Sequence, residues 1–75
     1  MPSKKIMNKR SVEITVPVYN EEKELEENII KLSDFCSSSL KDYDWRITIS
    51  DNASADNTPI IAANISKENP RIKLF

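Results

Sequence analysis

The apolar residues of this chain switch between two spacings from Val12 to Leu74, and that alternation restricts its fold more than any other feature. Val12, Ile14, Val16 and Val18 recur at every second position with Glu13, Thr15 and Pro17 between them, the period of a strand buried on one face. Pro17 has no N–H for a ladder and belongs near a strand end, so a loop is expected over residues 17–20. The spacing then becomes helical. Leu25, Ile29, Leu32 and Cys36 form an apolar stripe, widened by Ile30 and Phe35, and Glu27 and Lys31 pair on the wet side. Asn20 is the expected N-cap, with Glu21, Glu22 and Glu24 in the first turn where the helix dipole favours negative charge, and Ser37, Ser38 and Ser39 end the helix.

Past a turn over residues 41–44, Trp45, Ile47 and Ile49 alternate with Arg46, Thr48 and Ser50 in a second strand that stops at Asp51. Residues 51–57 are loop by composition. Thr58 and Pro59 then read as cap and first residue of a short helix whose buried side is Ile61, Ala62 and Ile65. Asn69-Pro70 stops it, and Ile72 and Leu74 begin a third strand. Strand-helix-strand-helix-strand implies an α/β fold with a Rossmann-like parallel sheet and right-handed crossovers. Ligands of such sheets bind outside the carboxyl ends of the strands. Here those ends lead into residues 17–21 and 51–57.

With 75 residues, 39% of them hydrophobic, one small core is the most the chain can build. We divide it into a basic, flexible N-terminus over residues 1–10 and a folded portion over residues 11–75. Lys4, Lys5, Lys9 and Arg10 concentrate positive charge at the start, read as a solvated terminus in preference to a patch for anionic lipid. The net charge of -1 gives no reason to expect a nucleic-acid partner. The lack of a long apolar run or a signal-peptide pattern leads us to expect a cytoplasmic protein, and the lone Cys36, at a core position, fits a reducing compartment. Histidine is absent, which removes the commonest general base and zinc ligand.

Glycine is absent too, which excludes the dinucleotide fingerprint and the P-loop, because backbone amides cannot approach a pyrophosphate closely through residues bearing side chains at those turns. A nucleoside end is the better guest. A tyrosine ring can stack on a base, and a carboxylate can accept from a base imide or ribose hydroxyls. Taken singly, each loop residue also has a structural reading: Pro17 ends a strand, Tyr19 caps a core edge, Asn20 and Glu21 cap a helix, and Asp51 sets an Asx-turn.

The paired stretches Val16-Pro17-Val18-Tyr19-Asn20-Glu21-Glu22 and Asp51-Asn52-Ala53-Ser54-Ala55-Asp56-Asn57-Thr58 resemble the opening of family 2 glycosyltransferases, including dolichyl-phosphate mannose synthase-like members. The resemblance runs over about residues 11–75. It implies a truncated nucleotide-diphospho-sugar transferase fold and an inverting enzyme that transfers a sugar from a UDP- or GDP-sugar to an acceptor. Carried over by position, Pro17 and Tyr19 resemble the nucleoside-side wall, Glu21 a ribose or base contact, and Asp51 the carboxylate that reads the base. Asn20 and Glu22 stay helix-start residues. Where many relatives have a second carboxylate and glycines, this chain has Asn52, Ala53 and Asn57, and Asn52 and Asn57 are expected to take the left-handed turns.

The resemblance also implies a divalent metal, Mg or Mn, held by an Asp-x-Asp motif further along the family's chain. Neither that motif nor an acceptor base is found here, so we expect no catalytic and no metal-binding residue in these 75 positions. The chain is expected to be an inactive donor-binding portion, with membrane contact only through regions outside it. Uncovered apolar sheet surface and an unpaired third-strand edge are expected to promote self-association. The alternative is a stand-alone nucleotide-binding or interaction module without transferase activity.

Overall fold

The computed structural model describes residues 10–75, so the expectation for the basic N-terminus lies, Arg10 apart, outside the described residues. The elements follow the expected order: β1 (Ser11–Val18), α1 (Leu25–Ser39), β2 (Asp44–Asp51), α2 (Thr58–Glu68) and β3 (Ile72–Leu74). The strands form one parallel sheet in the order β1-β2-β3, with Val12 beside Trp45, Ile14 beside Ile47, Val16 beside Ile49, and Ile47 beside Ile72. The α/β, Rossmann-like reading of the sequence therefore holds. Both crossovers step the same way across the sheet, and right-handed connections then put both helices on one face, where α1 and α2 touch.

That face is the core. Ile47, Ile49 and Ile72 from the sheet meet Leu25, Ile29 and Cys36 of α1 and Ala62 of α2, with Val12, Ile14 and Val16 half-buried at its β1 side. Burial pushes the Cys36 thiol up from its usual range. Ile30 and Phe35 do not widen the buried stripe as expected; both are more than half exposed. Two helices over three strands cover only a narrow band, and a residue one step along α1 is rotated by about 100° out of it.

The apolar sheet positions left partly open are Val12, Ile14 and Val16 on the helix side, and the face away from the helices is polar. Strict alternation sends Glu13, Thr15 and Pro17 of β1, Arg46, Thr48 and Ser50 of β2, and Lys73 of β3 to that side. The Thr48 hydroxyl donates to Glu13 Oε2 at 2.8 Å across it. At the opposite end of the sheet from the loops, the Arg71 guanidinium lies 4.7 Å from the centroid of the Trp45 ring and donates to the Trp45 carbonyl at 2.7 Å.

Pro17 sits inside β1 without breaking it, and the ladder explains why. Asp44 N–H donates to the Arg10 carbonyl and Asn52 N–H to the Val18 carbonyl, both at 2.8 Å, so even-numbered residues of β1 bond to β2. Odd-numbered residues point their backbone groups at the outer edge. Proline at position 17 therefore gives up no bond to β2.

Candidate functional site

Two loops leave the carboxyl edge of the sheet, residues 19–24 after β1 and residues 52–57 after β2, and their start is set by the register of Val18 beside Asp51. Side chains of each loop bond the backbone of the other. Asn20 N–H donates to Ser54 Oγ at 2.9 Å, Glu21 N–H to Thr58 Oγ1 at 2.8 Å and Glu22 N–H to Asp56 Oδ2 at 3.2 Å. In return Ala55 N–H donates to Asn20 Oδ1 at 2.8 Å and Asn57 N–H to Glu22 Oε1 at 3.1 Å. The two hydroxyls pass the connection on, Ser54 to Asp51 Oδ1 and Thr58 to Asp56 Oδ1, each at 2.5 Å.

This clasp corrects the expected start of α1. Asn20 lies in the left-handed region at φ 49°, its side chain goes to Ala55, and a turn closed by Leu25 N–H on the Glu21 carbonyl at 2.9 Å precedes a helix that begins at Leu25 after Glu24. Glu26 and Glu27 supply the first-turn negative charge. Thr58 is the first residue of α2 instead of its cap, because its hydroxyl serves the clasp. Left-handed backbone falls at Asn20 and at Ala53, φ 61°, not at Asn52 or Asn57. An alanine there costs about 1–2 kcal/mol, a cost met by the closed turn in which Ser54 N–H and hydroxyl both reach Asp51.

The four candidate residues lie along this rim. Pro17 is exposed on the polar face beside Ser50, Tyr19 is 58% exposed at the start of its loop, and Asp51 is half-buried beside Val18, between them in register. Glu21 is half-buried, its backbone held by Thr58, and its carboxylate takes no part in the clasp. Both oxygens of Asp51 accept from Ser54, a wider turn than the expected Asx-turn, and each keeps a second lone pair.

The titration of Asp56 is displaced. Partial burial pushes it up, but the Thr58 hydroxyl, the Thr58 and Glu22 N–H groups and its own N–H outweigh that and hold it below its ordinary value of 3.8. Among the described residues no three His, Cys, Asp or Glu side chains gather to hold a metal ion. Grooves of about 260 and 390 Å³ lie along α1 and α2, away from the rim. None of the described helices is long and apolar enough to cross a membrane.

The clasp residues Asn20, Glu22, Ser54, Asp56 and Thr58 were not identified from sequence as partners. The available signal was the density of hydroxyl and carboxylate acceptors in two loops without glycine. Compared with known proteins, residues 13–75 match the family model described as glycosyl transferase family 2. No curated protein matches the chain significantly.

Proposed function

Since the chain belongs to glycosyl transferase family 2, we propose that its loop rim is the part of such an enzyme that binds the nucleoside end of a donor UDP- or GDP-sugar. The observation that carries this reading is the clasp, which makes one unit of the two loops and sets Pro17, Tyr19, Glu21 and Asp51 along a single edge of the sheet. Parallel sheets bind ligands at that edge. Tyr19 offers a ring face for the base, Asp51 has lone pairs left for an imide or amine N–H, and the Glu21 carboxylate, which has no partner among the described residues, suits a ribose hydroxyl. Affinity to members that use a dolichyl phosphate acceptor is part of the same proposal.

In the reaction proposed for the whole enzyme, an acceptor oxygen bonds to the anomeric carbon with inversion. The nucleoside diphosphate leaves with the bonding pair, and the acceptor proton passes to a base outside these residues. A divalent metal would neutralise the leaving diphosphate, but the residues here do not fit one. Asp51 and Asp56 are held by Ser54, Thr58 and Glu22 as turn acceptors, and among the described residues no third ligand joins them. No step is assigned to a metal on this chain.

Titration of the 15N-labelled chain with UDP and with GDP tests the reading. A Kd in the high-micromolar to millimolar range is expected, since base contacts alone stand in for the full set. Shifts should concentrate at Val18–Glu22 and Asp51–Thr58. Asp51→Asn should weaken binding about tenfold, the worth of a charge-assisted hydrogen bond, while Ser54→Ala, which loosens the turn but keeps the carboxylate, should weaken it much less. No shift with either nucleotide at several millimolar refutes the proposal, and so does equal weakening by both substitutions.

A further inference from the structure

Asp51 closes β2 with both of its carboxylate oxygens held by one residue. Ser54 N–H donates to Oδ2 at 3.2 Å, and the Ser54 hydroxyl donates to Oδ1 at 2.5 Å. The hydroxyl hydrogen is committed to that direction, because the Ser54 oxygen accepts Asn20 N–H from the other loop at 2.9 Å. Ala53, left-handed at φ 61°, lies inside the turn so closed. The two donors sit three bonds apart on a single residue. So close a pair spans both oxygens only along the edge where one lone pair of each oxygen runs parallel to the other, the edge on which a fork of paired donors binds. The lone pairs left to Asp51 diverge, one from each oxygen.

We infer that this rim takes a uracil nucleotide in preference to a guanine one, so that the donor is a UDP-sugar. This choice of base rests on the nucleoside site proposed above. Guanine presents N1–H and a 2-amino N–H side by side, a pair that a carboxylate reads with both oxygens along its fork edge. At Asp51 that edge is filled by Ser54. One diverging lone pair can still take N1–H, but the amine beside it then finds no acceptor on Asp51, which is costly for a donor drawn out of water.

Uracil has the opposite pattern. Its single N3–H lies between two carbonyls, and on a fork edge one of those carbonyls would face a carboxylate oxygen, two acceptors with no hydrogen between them. On a diverging lone pair, N3–H meets one oxygen only, and the second oxygen lies on the far side of the carboxyl carbon. Stacking on Tyr19 does not decide between the bases, since each has a π-face. Glu21, whose N–H is held by Thr58 and whose carboxylate has no partner among the described residues, keeps its fork edge, and the adjacent hydroxyls of a ribose are paired donors that suit it.

Amide-NMR titration of the 15N-labelled chain with UDP, GDP and IDP, which is GDP without its 2-amino group, tests the choice of base. UDP should bind tightest, with GDP about tenfold weaker and IDP at least as tight as GDP, because the amine finds no acceptor. Methylation of UMP at N3, which removes the one donor read, should cost about tenfold in affinity. The choice of base is overturned by GDP as tight as UDP, by GDP tighter than IDP, or by N3-methyl UMP that binds like UMP. GDP tighter than IDP would mean that a carboxylate with a free fork edge, such as Glu21, reads the base. Each of these results leaves the nucleoside site standing, since a nucleotide still binds the rim. No shift with any nucleotide at several millimolar brings down the nucleoside site and the choice of base with it.

Discussion

Thr58 joins the two loops most directly, and its replacement by valine isolates the hydroxyl. The side chain is fully buried, accepts Glu21 N–H at 2.8 Å and donates to Asp56 at 2.5 Å. Valine matches its shape, so no cavity opens, but the part-buried Glu21 N–H loses its partner. An unsatisfied buried donor costs about 1–3 kcal/mol. The Asp56 oxygen keeps the Thr58 N–H at 2.9 Å, so its loss of the hydroxyl adds less. For a chain this small, a loss of about 2 kcal/mol lowers Tm by roughly 8–16 °C, or the urea midpoint by about 1–2 M at an m-value near 1–2 kcal/mol/M. The single tryptophan, Trp45, is buried and reports unfolding by fluorescence. Measurements belong at one fixed protein concentration, because any self-association would make stability concentration-dependent. Thr58→Ser keeps both hydrogen bonds and loses one methyl, so it should cost about 1 kcal/mol. The expected order of stability is wild type, then serine, then valine. A valine variant as stable as wild type, or more stable than serine, would refute the view that the hydroxyl joins the loops.

Three further outcomes are expected. Ala53→Gly relieves a left-handed alanine but frees the unfolded chain, so a net gain of about 0.5–1 kcal/mol is expected in urea melts; a loss would mean that φ 61° is not strained in solution. Asp56 is held below its ordinary value of 3.8, so the stability it contributes is present above that pH and is lost as the pH falls through the lower folded value. Asp56→Asn should flatten the acid limb of stability below about pH 4, as read from melts at stepped pH. The raised pKa and full burial of Cys36 should keep its reaction with a thiol reagent slow at pH 7 and make the rate follow unfolding; rapid labelling of the folded chain contradicts that core position.

What could be read from the sequence was what is local. Alternation at Val12–Val18 and Trp45–Ile49 set those strands to within a residue or so, while α1 starts at Leu25, four residues after the expected Glu21, and the order of elements then set the parallel sheet. What could not be read depends on partners far along the chain. Asn20 has the chemistry of a helix cap, yet its side chain serves Ala55 across 35 positions, and Thr58 likewise answers to Glu21 across 37. Left-handed propensity favoured Asn52 over Ala53, but the Asp51–Ser54 turn selects position 53 by geometry. The exposure of Ile30 and Phe35 depends on how many strands lie beneath α1, which no helical period encodes.

The clasp also bears on which end of a nucleotide-sugar this rim can serve. A helix that follows a parallel strand commonly presents free N–H groups to a phosphate at its start. Here the N–H groups of Asn20, Glu21 and Glu22 are each taken by an oxygen of the second loop, so three consecutive donors ahead of α1 are withdrawn. The side chains that remain are an aromatic ring at Tyr19 and carboxylates at Glu21 and Asp51. Carboxylates repel a diphosphate and accept from neutral N–H and O–H donors. The proposed division of labour follows from this chemistry: the rim suits base and ribose, and UMP or uridine should retain most of the affinity shown by UDP. The same amide-NMR titration measures it. A gain of a hundredfold or more from uridine to UDP would show that the rim binds through the diphosphate, and the assignment of Tyr19, Glu21 and Asp51 to the nucleoside would fall.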